Sequence, residues 1–179
     1  MTKTFRTALA VALSLSSFGC SLGHSQSPSI VKDAFLTNHK ETTIGKAFDA
    51  YFATPQWVMK QTKNGTQFVE FTGNLKKEYG PLKVGTKMRM QFIIYNDNSF
   101  KIRYAGFYEL PSELIQDFQN PETRQMMAAM AMGIGFKTTN DKARALNILA
   151  HLTPDQNDGT ALMLDTDGIQ IFLNEIYED

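Results

Sequence analysis

The chain has 179 residues, 42% of them hydrophobic, with 18 basic and 18 acidic side chains and no net charge. That composition excludes a disordered or collagen-like chain, and the neutral balance gives no global pointer to nucleic acid. A single cysteine rules out any intrachain disulfide, so a core must form from packing alone.

The chain opens with Lys3 and Arg6, then an apolar stretch from Thr7 to Phe18, then Gly19 and Cys20. A basic start, a short apolar run and a small residue are the features of a signal peptide, and the run is too short for a permanent membrane span. The cysteine at its end resembles the bacterial lipoprotein signal, in which that residue is lipidated and becomes the new N-terminus. Gly19 matches that pattern, whereas Ser17 and Phe18 depart from it. The competing reading is a secreted protein cut near Gly19 or Gly23. Residues 1–19 are thus read as a signal peptide and 20–29 as a lipid-attached, flexible tether. Under the lipoprotein reading, Ser21 implies outer-membrane retention.

Ile44, Ala47, Phe48, Tyr51 and Phe52 recur at helical spacing, with Thr42 or Thr43 as cap and Pro55 as the expected stop. The period then changes to two. Segments 57–63 and 66–73 flank Asn64-Gly65, a hairpin signal, and a second pair spans 87–95 and 99–108. Met88, Met90, Phe92 and Ile94 share one face of the first strand of that pair, and Phe100, Ile102 and Tyr104 share one face of the second. Only a three-residue loop, Asn96 to Asn98, puts both sets on the same side, with Asn98 left-handed. Arg89, Gln91, Lys101 and Arg103 then fall on the opposite face.

Beyond Leu110 the pattern turns helical. Pro111 opens a helix carrying Leu114, Ile115 and Phe118. Asn120 caps another, with Pro121 first, stopping near Gly133 or Gly135. Asn140 caps a third, containing Leu146 and Leu149 and stopping near Pro154. At the end, Asp165 to Gly168 suits a hairpin turn, but Ile169, Phe172, Leu173, Ile176 and Tyr177 favour a final helix with Asp167 near its start. The expected fold is α+β: a leading helix packed on an antiparallel sheet of about four strands in two hairpins, with a helical C-terminal third. Residues 30–110 form the helix-plus-sheet module and 111–179 the mainly helical part, packed on the same domain.

The stretch Thr43 to Trp57 (TIGKAFDAYFATPQW), then Asn64-Gly65, then Phe68 to Gly73 (FVEFTG), with Gln91 and Phe92 further on, resembles a module of small secreted bacterial proteins and lipoproteins, mostly labelled uncharacterised. The resemblance spans about Ile30 to Tyr108. It implies an envelope location and a fold, and brings no catalytic residues with it. Packing accounts for the same residues: Phe48, Phe52 and Trp57 pin the helix to the sheet, Val69 and Phe71 supply the sheet's half of the core, and Gly45 allows close backbone approach.

His24, His39 and His151 are dispersed, and none stands at metal-ligand spacing. No nucleophile sits in a recognisable setting, and Gly133-Ile134-Gly135 reads as a helix stop rather than a phosphate loop. Asp155, Asn157 and Asp158 before Gly159, and Asp165 and Asp167 before Gly168, depart from the calcium-loop template and suit turns. Met126, Met127, Met130 and Met132 invite copper(I), yet methionine also lines adaptable binding surfaces, so this cluster is a candidate partner-binding patch. No catalytic residue, metal site or cofactor is assigned.

From Cys20 to Glu109 there are 12 basic and 7 acidic side chains, and from Leu110 to Asp179 there are 4 and 11. Three readings remain: the acidic part folds against the basic face around Arg89, Lys101 and Arg103, that face meets an anionic surface, or it is a plain solvated face, the default. Three functions remain open. The first is a lipid-anchored, non-enzymatic binding or scaffold module with a protein partner in the envelope. The second is a secreted inhibitor or effector. The third is a small-molecule or metal carrier using the methionines.

Overall fold

The computed structural model describes residues 27–79, 81–126 and 146–178. Cys20, Met127, Met130, Met132, the glycines at 133 and 135, and Asn140 lie outside them. In chain order the elements are α1 (Ser29–Lys32), α2 (Ile44–Tyr51), β1 (Phe52–Gln61), β2 (Gln67–Leu75), β3 (Lys87–Ile94), β4 (Phe100–Tyr108) and α3 (Ser112–Gln119). Helical residues 121–126 (α4) and 146–150 (α5) follow, then β5 (Leu152–Pro154), β6 (Leu162–Leu164) and α6 (Thr166–Glu178).

The fold is α+β, with one antiparallel sheet in the order β1-β2-β3-β4-β6-β5. The two long hairpins are the four expected strands. The C-terminal part adds two three-residue strands, so both portions of the chain build one sheet. β5 is too short to carry a periodic signal.

Thr43 caps α2, its hydroxyl accepting from the Lys46 N–H at 3.4 Å. The helix stops before Pro55, because Phe52 already adopts extended geometry and begins β1. Pro55 instead falls in an edge strand, where its missing N–H is tolerated. There the β1–β2 register slips between Ala53 and Gln56, and Thr54 takes a φ of 50°. Phe48 sits at the centre of the core, ringed by Phe52, Trp57, Phe71 and Phe92 at centroid distances of 4.9 to 6.2 Å. α6 closes the same face through Phe172, which meets Tyr51, Phe52 and Phe107. Gly45 lets α1 cross α2 closely, since a Cβ there would lie 2.9 Å from the Lys32 carbonyl oxygen.

The β3–β4 hairpin has the expected three-residue loop. Tyr95 N–H donates to the Ser99 carbonyl at 2.9 Å, and Asn98 has a φ of 63°. The expected facing holds up to Ile102 and then fails. Phe92 pairs with Ile102 but Gln91 with Tyr104, leaving Arg103 as an extra residue. This bulge turns Ala105 and Phe107 into the core, both fully buried, and places Tyr104 on the opposite face. Strict alternation would have left Phe107 outside.

The final helix forms as the spacing predicts, with Asp167 in its first turn.

Candidate functional site

Where β4 runs past the end of the short β6, a groove of about 830 Å³ opens between the β3–β4 hairpin and α6. Apolar side chains come from three separate segments: Leu36 ahead of α2, Ile102 on β4, and Ile169 and Leu173 on α6. Lys101 and Arg103 line it too, and both are exposed. Among the described residues neither makes an ion pair or a side-chain hydrogen bond. An apolar lining with a few convergent charges is the usual make-up of a binding site.

The acidic wall of the groove is Asp165, at the junction of β6 and α6. Burial works to raise its pKa. The backbone N–H of Gly168, the His151 ring and the backbone N–H of Asp167 outweigh that and hold it below the usual value. The Gly168 N–H donates to Asp165 Oδ1 at 2.8 Å, so Asp165 caps α6 and its carboxylate is committed to the fold.

The structure splits the three predicted cations. Lys101 and Arg103 meet in the groove, whereas Arg89 lies elsewhere on the sheet, in a row with Thr72 and Gly106. The guanidinium of Arg89 sits 4.4 Å from the Tyr108 ring centroid, with its Nε 3.9 Å from Glu70. Glu70 also accepts from Lys60 and from Gln91 at 2.9 Å. Burial pushes the Glu70 carboxyl upward, but these hydrogen bonds and the charges of Lys60 and Arg89 outweigh it and bring its pKa below the ordinary value. Arg89 is therefore tied into the fold, and the three residues do not form one cationic patch. The Arg103 bulge adds to this by placing Tyr104 rather than Arg103 opposite Gln91, so Arg103 is out of register with the row that Arg89 begins.

The acidic C-terminal part does approach Arg89. The β5–β6 loop carries Asp155 and Asp158, and the nearby charge of Arg89 adds to the hydrogen bonds from Thr160 that lower the Asp158 pKa. Burial, followed by Asp155, raises that of Tyr104. The loop aspartates serve as turn acceptors. Asp155 takes the Asn157 N–H at 2.8 Å and Asp158 the Thr160 N–H at 3.0 Å.

Met126 is 54% exposed on α4; its three predicted companions lie outside the described residues. His39 stacks on Tyr177 at 4.3 Å, with its Nε2 3.2 Å from Asn174 Oδ1. His151 bonds to Asp165. Leu36, Ile169 and Leu173 are distant in sequence and carry no local signal of a site, although Ile169 and Leu173 belong to the predicted helix stripe. No helix among the described residues is long and apolar enough to cross a membrane. No protein-family model, curated protein or solved structure matches the chain.

Proposed function

We propose that this protein is a non-enzymatic binding or scaffold module of the bacterial cell envelope, tethered to the outer membrane through a lipid on Cys20 and engaging a protein partner in the periplasm. One observation carries the binding role: the groove beside β4 combines an apolar lining with two cations, Lys101 and Arg103, that have no partner among the described residues. Cations bound up in the fold, as Arg89 is by Glu70 and Tyr108, stabilise the sheet. Lys101 and Arg103 are left available for a ligand.

The anchoring half rests on the sequence: a basic start, an apolar run and a cysteine directly after it. Mass spectrometry of the natively processed protein tests it, and an acylated Cys20 is the expected result. Photocrosslinking in intact cells from positions 101 and 103 tests the binding role, with a reproducible envelope protein as the expected product. Ser17 and Phe18 favour a second reading, release as a secreted effector. That reading wins if the protein accumulates unacylated in the medium and no envelope protein is crosslinked.

A further inference from the structure

We propose that the open half of β4 is a strand-addition site, taking an extended acidic segment of the protein partner as a new strand beside Phe100–Tyr104; this rests on the binding-module reading above. β6 covers β4 only at Gly106 and Phe107, which pair with Met163 and Leu162. From Phe100 to Tyr104 no described strand lies on that side. Tyr95 and Ser99 form a hydrogen-bonded pair at the hairpin end, and such pairs alternate along an antiparallel ladder. The next is Ile93 with Lys101. The N–H and C=O groups of Phe100 and Ile102 therefore point away from β3, toward the open edge.

The sheet has other edges, and they are less suited. β1 carries Pro55, which has no N–H to give an added strand, within its irregularity between Ala53 and Gln56; the Arg103 bulge of β4 leaves residues 100–102 in regular register. β5 is three residues long. Only the β4 edge borders the apolar groove, where Leu36, Ile169 and Leu173 offer contacts for alternate side chains of an incoming strand. Main-chain bonds to an edge with side-chain pockets beside it are the elements of recognition by strand addition.

Charge selects the occupant. A second copy paired antiparallel through the same edge would bring Lys101 and Arg103 against their own counterparts, and like charges across a strand pair are unfavourable. An acidic strand places carboxylates there instead. The two cations are two positions apart on β4, so a segment with acidic residues at alternate positions matches them.

The test uses the natively processed protein and synthetic peptides of alternating Glu and Val. One is unmodified, and one is N-methylated at two adjacent central residues, which blocks both of its edges while keeping its side chains. A Lys-Val peptide is the charge control. The unmodified Glu-Val peptide is expected to bind and to slow amide exchange at Phe100 and Ile102. The Lys101→Glu/Arg103→Glu double variant is expected to weaken that binding by about tenfold or more, with Trp57 fluorescence and circular dichroism showing its fold intact. Equal binding of the N-methylated peptide, unchanged exchange at Phe100 and Ile102, or no binding would overturn the proposal. The crosslinking above separates the two ideas. A partner caught from another face, with no peptide binding, sinks the strand-addition site and leaves the binding module standing. Peptide binding with no partner in cells does the reverse.

Discussion

His151 Nδ1 lies 3.0 Å from both carboxylate oxygens of Asp165, joining the residue before β5 to the cap of α6. The same carboxylate accepts from Gly168 N–H at 2.8 Å, so one side chain holds the start of the helix that closes the core. Asp165→Asn keeps an oxygen for the cap but loses the charge, whereas Asp165→Ala loses both. Urea denaturation is expected to place the Ala variant about 1 kcal/mol below the native protein, with the Asn variant between them.

Glu70 predicts the acid dependence of stability. Its folded pKa lies below the ordinary value of 4.5, so the folded state favours the carboxylate. The resulting stability is fully present above the unfolded pKa and is lost as pH falls through the lower, folded value. Stability measured from pH 6 downward should fall less steeply in Glu70→Gln than in the native protein. The side chain is only 11% exposed and accepts from two donors, so Glu70→Ala should cost about 1.5–3 kcal/mol.

Gly106 is one of the two β4 residues that pair with β6. A Cβ there would come within 2.7 Å of the Leu162 carbonyl oxygen, and backbone cannot step aside as a side-chain tip does. Gly106→Ala should destabilise by about 1–3 kcal/mol and speed amide exchange in β6. Gly159→Ala, with nothing within 4 Å, should stay within about 0.5 kcal/mol of the native protein.

Asn98 ends the β3–β4 loop at a φ of 63°, where a β-branched residue is strained. Asn98→Gly is expected to keep or raise the melting temperature, and Asn98→Val to lose about 1–2 kcal/mol.

Phe48 is fully buried and touches Trp57, the chain's only tryptophan. Phe48→Ala should cost about 3–5 kcal/mol, and Trp57 fluorescence reads the transition directly.

Local pattern was sufficient for the long elements. The α2 stripe, the two hairpins, the left-handed Asn98 and the final helix each depend on residues close together in sequence, where side-chain period and turn sterics act without help from the rest of the chain. Proline was less informative, because Phe52 had left the helix before Pro55 was reached. The parity of β4 held a usable clue: Phe100 and Ile102 share one face, yet Phe107 is also too apolar for the opposite one. An extra residue between them turns all three to the core side, where Phe107 is buried and Phe100 and Ile102 are half-buried.

The candidate site was legible only in pieces. Lys101 and Arg103 stood out as unbalanced charge, but so did Arg89, and nothing local separated them. The separation comes chiefly from Glu70, a neighbour of Arg89 only once β2 and β3 pair. Leu36, Ile169 and Leu173 join the groove because α6 returns to the sheet more than a hundred residues after Leu36. Sequence alone determined the α+β class, the main strands and their turns, since these follow from short-range sterics and hydrophobic period. Tertiary structure decided the two added strands and, among the described residues, which cations stay unpaired and where an edge lies open, since burial and pairing between distant segments set all three.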